Sequence, residues 1–353
     1  MILEIQRKLY RTKLKQFMDR LEQMVLADHV ILEGRFAWSK DPVPFQQRLD
    51  LEYQVIQEGD EWGQTWDSAW FHLSGKIPND WTNDEVVAHL DFNGEALVFS
   101  PEGIPLQGLT NGSVFGRITR HNFRLAAPVL KNPQIELWVE AAANSIMGIH
   151  RPRDPERGKN TIEATGNQIA STAATLRPGD TISRHGSYRG IVNRMRLARF
   201  KRNLYDFWLD MEVLNGLLDS VPDSSSRYAR ILEGLVKVTN IFKDAEANIG
   251  QCREMLQPLL QQSANASAPT INAVGHAHID TGWLWPVRET IRKSARTFAS
   301  QLDLMERYPE YVFGASQPQH YQFVKDHYPE LYQKIREAVA GGRWELQGGM
   351  WIE

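Results

Sequence analysis

The stretch Ala273-Val274-Gly275-His276-Ala277-His278-Ile279-Asp280 decides how the carboxy-terminal part of the chain reads. The small, polar residues 261–269 before it have the composition of a linker or long turn, and the apolar residues 271–274 predict a strand. Beyond it, residues 287–307 carry Ile291, Ala295, Phe298, Leu302 and Met305 on one helical face, with Pro286 where a first-turn proline is tolerated. Tyr311-Val312-Phe313 predicts a second strand, residues 319–340 a second helix closed by Gly341-Gly342, and Trp344-Glu345-Leu346 a third strand. The order βαβαβ builds a parallel sheet or barrel, and such sheets place ligands at the carboxyl ends of their strands.

Working towards the amino terminus, residues 187–266 show two apolar stripes at spacings of three and four. One runs from Leu197 through Phe200, Leu204, Phe207, Met211 and Leu214 to Leu218, the other from Tyr228 to Leu259. The turn chemistry of Val221-Pro222-Asp223-Ser224-Ser225-Ser226 between them predicts a long helical hairpin. Seven basic residues from Arg184 to Arg202 meet no acidic sequence neighbour; a solvated face or a contact with another part of the protein is favoured over a surface for an acidic partner.

From about residue 36 to 182 the texture is that of short β-rich runs separated by Gly, Pro, Asn and Asp, a β-sandwich rather than a barrel. Phe92-Asn93-Gly94 between Val86-Val87 and the run Ala96–Phe99 predicts a tight hairpin, because Asn-Gly tolerates positive φ at both turn positions. At the amino terminus Leu14, Phe17, Leu21 and Met24 give a first helix with an apolar stripe that must dock on something. The expected organisation is α+β and multidomain. A helix occupies 1–28, a β-sandwich-like domain 29–186, a helical hairpin 187–266 and the first part of a seven- or eight-stranded α/β barrel 267–353.

With 40 basic and 43 acidic side chains among 353 residues the net charge is -3, which gives no electrostatic case for nucleic acid. The apolar share of 42%, with 11 Trp, 14 Phe and 10 Tyr, suffices for a sizeable core and excludes disorder as the main state. No run approaches the length of a membrane span, and Glu4, Arg7, Lys8, Arg11 and Lys13 break any signal-peptide core. The single cysteine, Cys252, permits no internal disulfide, so a cytoplasmic location is expected.

His276, His278 and Asp280 alternate, and an extended strand would put all three on one face. Imidazole nitrogen and carboxylate oxygen suit zinc or a similar divalent ion, at the place where this architecture carries its chemistry. The run His276-Ala277-His278-Ile279-Asp280-Thr281-Gly282-Trp283-Leu284-Trp285-Pro286 resembles the opening of the catalytic domain of family 38 α-mannosidases, most closely the cytosolic and vacuolar type. The resemblance covers residues 272–353, and Gly282 stands where that branch usually has alanine.

The resemblance implies that His278 and Asp280 bind a catalytic Zn2+, with Co2+ a second candidate. It makes His276 a neighbour of the metal or a substrate contact and Trp283 the platform on which the sugar stacks. Core packing is expected for Trp285, and first-turn exposure or pairing for Arg288 and Glu289. The implied activity is retaining hydrolysis of terminal α-mannosyl residues of oligosaccharides by a homo-oligomeric enzyme. The family's nucleophile lies downstream of the third strand, so residues 1–353 by themselves are expected to be inactive. Two other readings compete. Amidohydrolases share a His-x-His at a first strand but not the Asp-Thr-Gly-Trp-Leu-Trp-Pro that follows, and Trp62, Trp66, Trp70 and Trp81 would suit a non-catalytic carbohydrate-binding module, although core and edge packing of the sandwich is the favoured reading for them.

Overall fold

The computed structural model describes residues 4–64, 66–81, 84–110, 119–125, 133–144, 189–264, 267–282 and 285–352. The β-rich residues 145–182, Arg184 and Trp283 lie outside the described residues. The chain divides into two compact units, Met1–His29 with Asn83–Val86 and Ala198–Ile271, and Val30–Thr82 with Val87–Leu197 and Asn272–Glu353.

The first unit is a helical bundle of α1 (Glu4–Met24), α2 (Arg202–Ser220), α3 (Ser226–Phe242) and α4 (Ile249–Leu260). The stripe on α1 docks where its pattern demands: Leu14, Phe17 and Leu21 are buried against Phe207, Met211 and Leu214 of α2 and Leu235, Val238 and Phe242 of α3. The Phe17 ring meets Phe242 edge-on at 5.7 Å. Ser225 caps α3 by accepting a hydrogen bond from the Tyr228 amide at 3.1 Å.

The expected two-helix hairpin is three helices, and it begins later. Leu197 and Phe200 lie on a strand, β12 below, because pairing in a sheet overrode a short apolar run that fits either period. The second stripe breaks at Lys243 and Asp244, both with left-handed backbone (φ 49° and 55°). Asn248 then donates its side-chain amide to the carbonyls of Ile241 and Phe242, satisfying the end of α3 before α4 starts.

The strands are β1 (Leu26–Ile31), β2 (Glu33–Ser39), β3 (Gln54–Ile56), β4 (Glu61–Gln64), β5 (Ser68–Lys76) and β6 (Glu85–Asp91). There follow β7 (Glu95–Phe99), β8 (Pro105–Leu109), β9 (Asn122–Arg124), β10 (Gln134–Ala142), β11 (Arg189–Ile191) and β12 (Arg194–Phe200). They form a six-stranded sheet β3-β2-β5-β10-β7-β8, a four-stranded sheet β1-β12-β6-β9 and the pair β11-β4. These sheets make up the expected sandwich. The central pairing is antiparallel and long, with β10 opposite β5 from Gln134↔Lys76 to Ala142↔Ser68.

The Asn93 turn is not the hairpin expected of it, since β6 and β7 belong to different sheets. Asn93 has φ 55°, so the turn keeps its left-handed residue but carries the chain from one sheet to the other. Gly94 is required for space: a Cβ there would collide with the Ala142 carbonyl oxygen. The tryptophans follow the favoured of their two readings. Trp62, Trp66, Trp70 and Trp81 are all buried, so they are packing residues and form no sugar-binding surface.

The basic run finds acidic partners far away in sequence. Within the second unit Arg189 pairs with Glu61, Arg194 with Asp91 and Arg196 with Glu58. Within the first, Arg199 pairs with Asp28 and Asp84, Lys201 with Glu246 and Arg202 with Glu85. The Arg196–Glu58 pair is bidentate, with both bonds 2.7 Å.

The α/β segment of the second unit runs β13 (Gly275–His276), α5 (Val287–Arg307), β14 (Phe313–Ala315), α6 (Pro318–His327), α7 (Pro329–Ala340) and β15 (Trp344–Leu346). The three strands pair in parallel in the order β13-β14-β15, and among the described residues this sheet does not close into a barrel. The strand expected over 271–274 is displaced to Gly275–His276, the exposed residues before it being unpaired with β14. The single helix expected over 319–340 is two. Pro329 has no amide hydrogen and forces Tyr328 out of helical geometry (φ -142°, ψ 63°), so a new helix starts there. One apolar core spans segment and sandwich, uniting Phe298, Phe313 and Trp344 with Trp70, Leu97, Phe99 and Trp138.

Candidate active site

The parallel sheet supplies the frame. After His276 the chain leaves β13, so the alternation that would align His276 with the next two residues ends there. His276 is exposed and paired in register with Gly314. His278 and Asp280 nevertheless converge: His278 Nε2 lies 3.2 Å from Asp280 Oδ1, and both side chains are partly open to solvent. Among the described residues no group of three or more His, Cys, Asp or Glu side chains is placed to hold an ion.

The loop carrying this pair is fastened from two sides. From the start of α6, Gln317 Nε2 donates to the Ile279 carbonyl at 2.9 Å, and Thr281 Oγ1 shares a 2.9 Å hydrogen bond with His320 Nε2. Burial, and then the neighbouring His278, hold the His320 imidazole down at about 4, so it is neutral at pH 7. From α5, Thr290 Oγ1 accepts the Gly282 amide at 3.1 Å and the Trp285 indole N–H at 3.0 Å. Gly282 has φ 68°, a backbone state that suits glycine and disfavours a side chain. Trp285 is half-buried with Lys293 Nζ 4.6 Å from its ring centre, a cation over an aromatic face rather than plain core packing.

Glu289 is paired, as one of its two expectations had it, but it is wholly buried. It receives the guanidinium groups of Arg292 and Arg296, which reach on to the sandwich. Arg292 binds Glu140 at 2.6 Å and Ser68 Oγ at 2.9 Å, while Arg296 binds Glu95 at 2.9 Å and Lys293 joins it at 2.5 Å. Three carboxylates and three cations therefore balance in a dry interface. Burial alone would raise Glu95, but Lys293 and Arg296 overcome it and hold the carboxyl at about 2. Thr290, Gln317 and His320 were not singled out in sequence; their only signal is proximity to the strand ends.

The donor set is one imidazole nitrogen and one carboxylate oxygen. Two ligands of a tetrahedral zinc with bonds of about 2.1 Å lie about 3.4 Å apart, and the observed 3.2 Å fits that spacing.

Residues 268–353 match the Glycosyl hydrolases family 38 N-terminal domain. This segment is similar to that family 38 domain. Ahead of the family 38 segment, residues 33–169 match the jelly roll domain of alpha-mannosidase. The chain is 31% identical over 312 residues to Alpha-mannosidase 2C1 of Homo sapiens and 30% over 313 residues to that of Mus musculus, covering 88% of this chain in each case. It is 25% identical over 338 residues, 91% of this chain, to Alpha-mannosidase of Saccharomyces cerevisiae. The chain spans about a quarter of the length of these relatives, 27%, 27% and 28% respectively.

Proposed function

We propose that this chain forms the amino-terminal part of a retaining, metal-dependent α-mannosidase that removes terminal α-mannosyl residues from oligosaccharides. The observation that carries the proposal is the convergence of His278 and Asp280 at the carboxyl end of a parallel strand in a family 38 segment. The names of the relatives, all alpha-mannosidases, support the substrate class.

In this reading His278 Nε2 and Asp280 Oδ1 are two protein ligands of Zn2+, with Co2+ an alternative occupant of the same donor set. Bound there, the ion supplies Lewis acidity towards sugar hydroxyls. The chain's own contribution is positional. Gln317 and Thr290 hold the backbone on either side of the ligands, and neutral His320 fixes Thr281 without adding a charge beside them. Trp283 is the proposed stacking face for the pyranose and His276, exposed at the strand end, a substrate contact.

Retaining hydrolysis needs two carboxyl groups about 5 Å apart, one as nucleophile and one as acid then base. Asp280 is committed to the ion, so residues 1–353 alone are proposed to be inactive. The enzyme is proposed to be cytoplasmic, supported by the single cysteine of this chain, Cys252, which is buried and free. Assembly into a homo-oligomer is supported by Ile5 and Leu9 on α1, exposed apolar side chains on a helix face. No helix of the described residues is long and apolar enough to cross a membrane, and a net charge of -3 supports no nucleic-acid partner.

The test is hydrolysis of an aryl α-mannoside by the complete protein and by its H278A and D280A variants. Turnover that depends on both residues and falls with a chelator is the expected result. Full turnover in both variants would refute the assignment.

A further inference from the structure

We infer that Thr290 is a positioning residue of the His278/Asp280 site, and that it transmits to the site loop the fixed frame of the β-sandwich. The inference rests on the reading of that pair as metal ligands only for its metal readout; the loop readout is independent of it.

Three observations carry it. First, a single hydroxyl oxygen accepts two hydrogen bonds from the loop, the Gly282 amide and the Trp285 indole, so it ties together points three residues apart in sequence. Gly282 is two residues from Asp280, so the hold on its amide fixes the backbone close to that carboxylate. Second, Thr290 is fully buried in the first turn of α5, where a methyl group would satisfy packing equally well. The hydroxyl is therefore explained by its two donors.

Third, the turn that bears Thr290 cannot shift independently of the sandwich. Its neighbour Glu289 is gripped by Arg292 and Arg296, which are themselves bound to Glu140 on β10 and Glu95 on β7. Further along α5, Ser300 Oγ accepts the Gly108 amide of β8 at 3.0 Å, and a Cβ at Gly108 would collide with the Arg296 carbonyl oxygen. At Arg296 and Ser300 the helix lies directly on the backbone of β8. Position passes from sheet to helix by buried charge pairs, and from helix to loop by the Thr290 oxygen.

Groups that hydrogen-bond a metal ligand orient it, and their loss typically weakens metal binding by about 10- to 100-fold; Thr290 acts one step further out, through the backbone next to Asp280, so the lower end of that range is expected. The experiment compares the complete protein with T290S, which keeps the oxygen, T290V, which replaces it with a methyl group, and T290C, which keeps a weak acceptor. Two readouts are taken: hydrogen exchange of the segment 276–286 relative to that of α5, and affinity for Co2+ from its visible absorption. T290V is expected to speed exchange in 276–286 by about tenfold or more, both hydrogen bonds to the loop being lost, and to weaken Co2+ binding by about tenfold. T290S should behave as the unaltered protein, with T290C between. Should T290V not fold, the ordering of T290S and T290C decides. Exchange in 276–286 unchanged in T290V, or in T290C when that variant must decide, would overturn the inference. If no variant, nor the unaltered protein, binds Co2+ while the exchange pattern holds, the metal reading fails and the positioning role stands.

Discussion

Arg292 and Glu140 meet at 2.6 Å across the face between α5 and the six-stranded sheet, with side chains only 2% and 4% exposed. A buried pair of this kind is weak evidence of net stability, because desolvating both ions offsets much of their attraction. It is strong evidence of mutual dependence, since neither charge can remain in the interface alone. The second bond of Arg292, to Glu289, and its third, to Ser68 Oγ, make the arginine the hub of the cluster.

Removing that hub should therefore cost more than the pair is worth. R292M leaves Glu140 and Glu289 short of a counter-charge and is expected to destabilise the protein by about 3–5 kcal/mol, whereas adding E140L should recover part of that loss. Chemical denaturation of the two single variants and the double variant measures this. Strictly additive losses would show that the two side chains do not act on each other.

The same cluster gives an acid limb to stability. The Glu95 carboxyl titrates at about 2 in the fold against an ordinary 4.5, so its folded state binds the proton less readily than the unfolded chain. Its contribution is complete above pH 4.5 and is lost as pH falls towards 2, and the shift corresponds to roughly 3 kcal/mol. Unfolding of the unaltered protein and of E95Q, followed from pH 6 down to pH 2.5, should show a stability gap that narrows as the solution is acidified. A gap independent of pH would mean that Glu95 is not held ionised by Lys293 and Arg296.

What could be read from residues alone divides along physical lines. The convergence of His278 and Asp280 was legible because two side chains of ligand type stand two positions apart just beyond a strand end. The apolar stripes of α1 and α2 were legible because burial repeats with the helical period. The opposite side of α5 was not, since Glu289, Arg292 and Arg296 look like solvent residues until Glu140 and Glu95 arrive from 152 and 201 positions away. Lys243 was hidden for a different reason: a left-handed helix end without glycine leaves no compositional mark. Pro329 did leave one, and the helix break it causes follows from its missing amide hydrogen. Asn93 was half legible, its positive φ being foreseeable and the change of sheet not.

Gly94 should be intolerant of even one methyl group. Its Cβ would fall on the Ala142 carbonyl oxygen, a backbone atom of the central strand that has no flexible end to swing aside. G94A is expected to lose about 1–3 kcal/mol by forced backbone displacement, the usual cost of overpacking. G216A on α2, where a Cβ meets nothing within 4 Å, is the internal control and should be neutral or stabilising by about 1 kcal/mol. Thermal unfolding of both variants checks the contrast, and equal midpoints would contradict it.

Metal linkage gives a measurement on the folded chain that requires no turnover. An ion that binds the fold and not the unfolded chain stabilises by mass action, on the order of 2.7 kcal/mol at a hundredfold excess over its dissociation constant. With only two proposed protein ligands among the described residues, affinity should be modest and strongly dependent on both. The expected result is a zinc-dependent rise in the unfolding midpoint that is abolished by a chelator, absent in H278A and in D280A, and retained in H276A. The H276A arm is the discriminating one, because alternation along an extended strand would make all three residues ligands whereas the end of β13 at His276 leaves a pair. Loss of the zinc effect in H276A would restore the three-ligand arrangement.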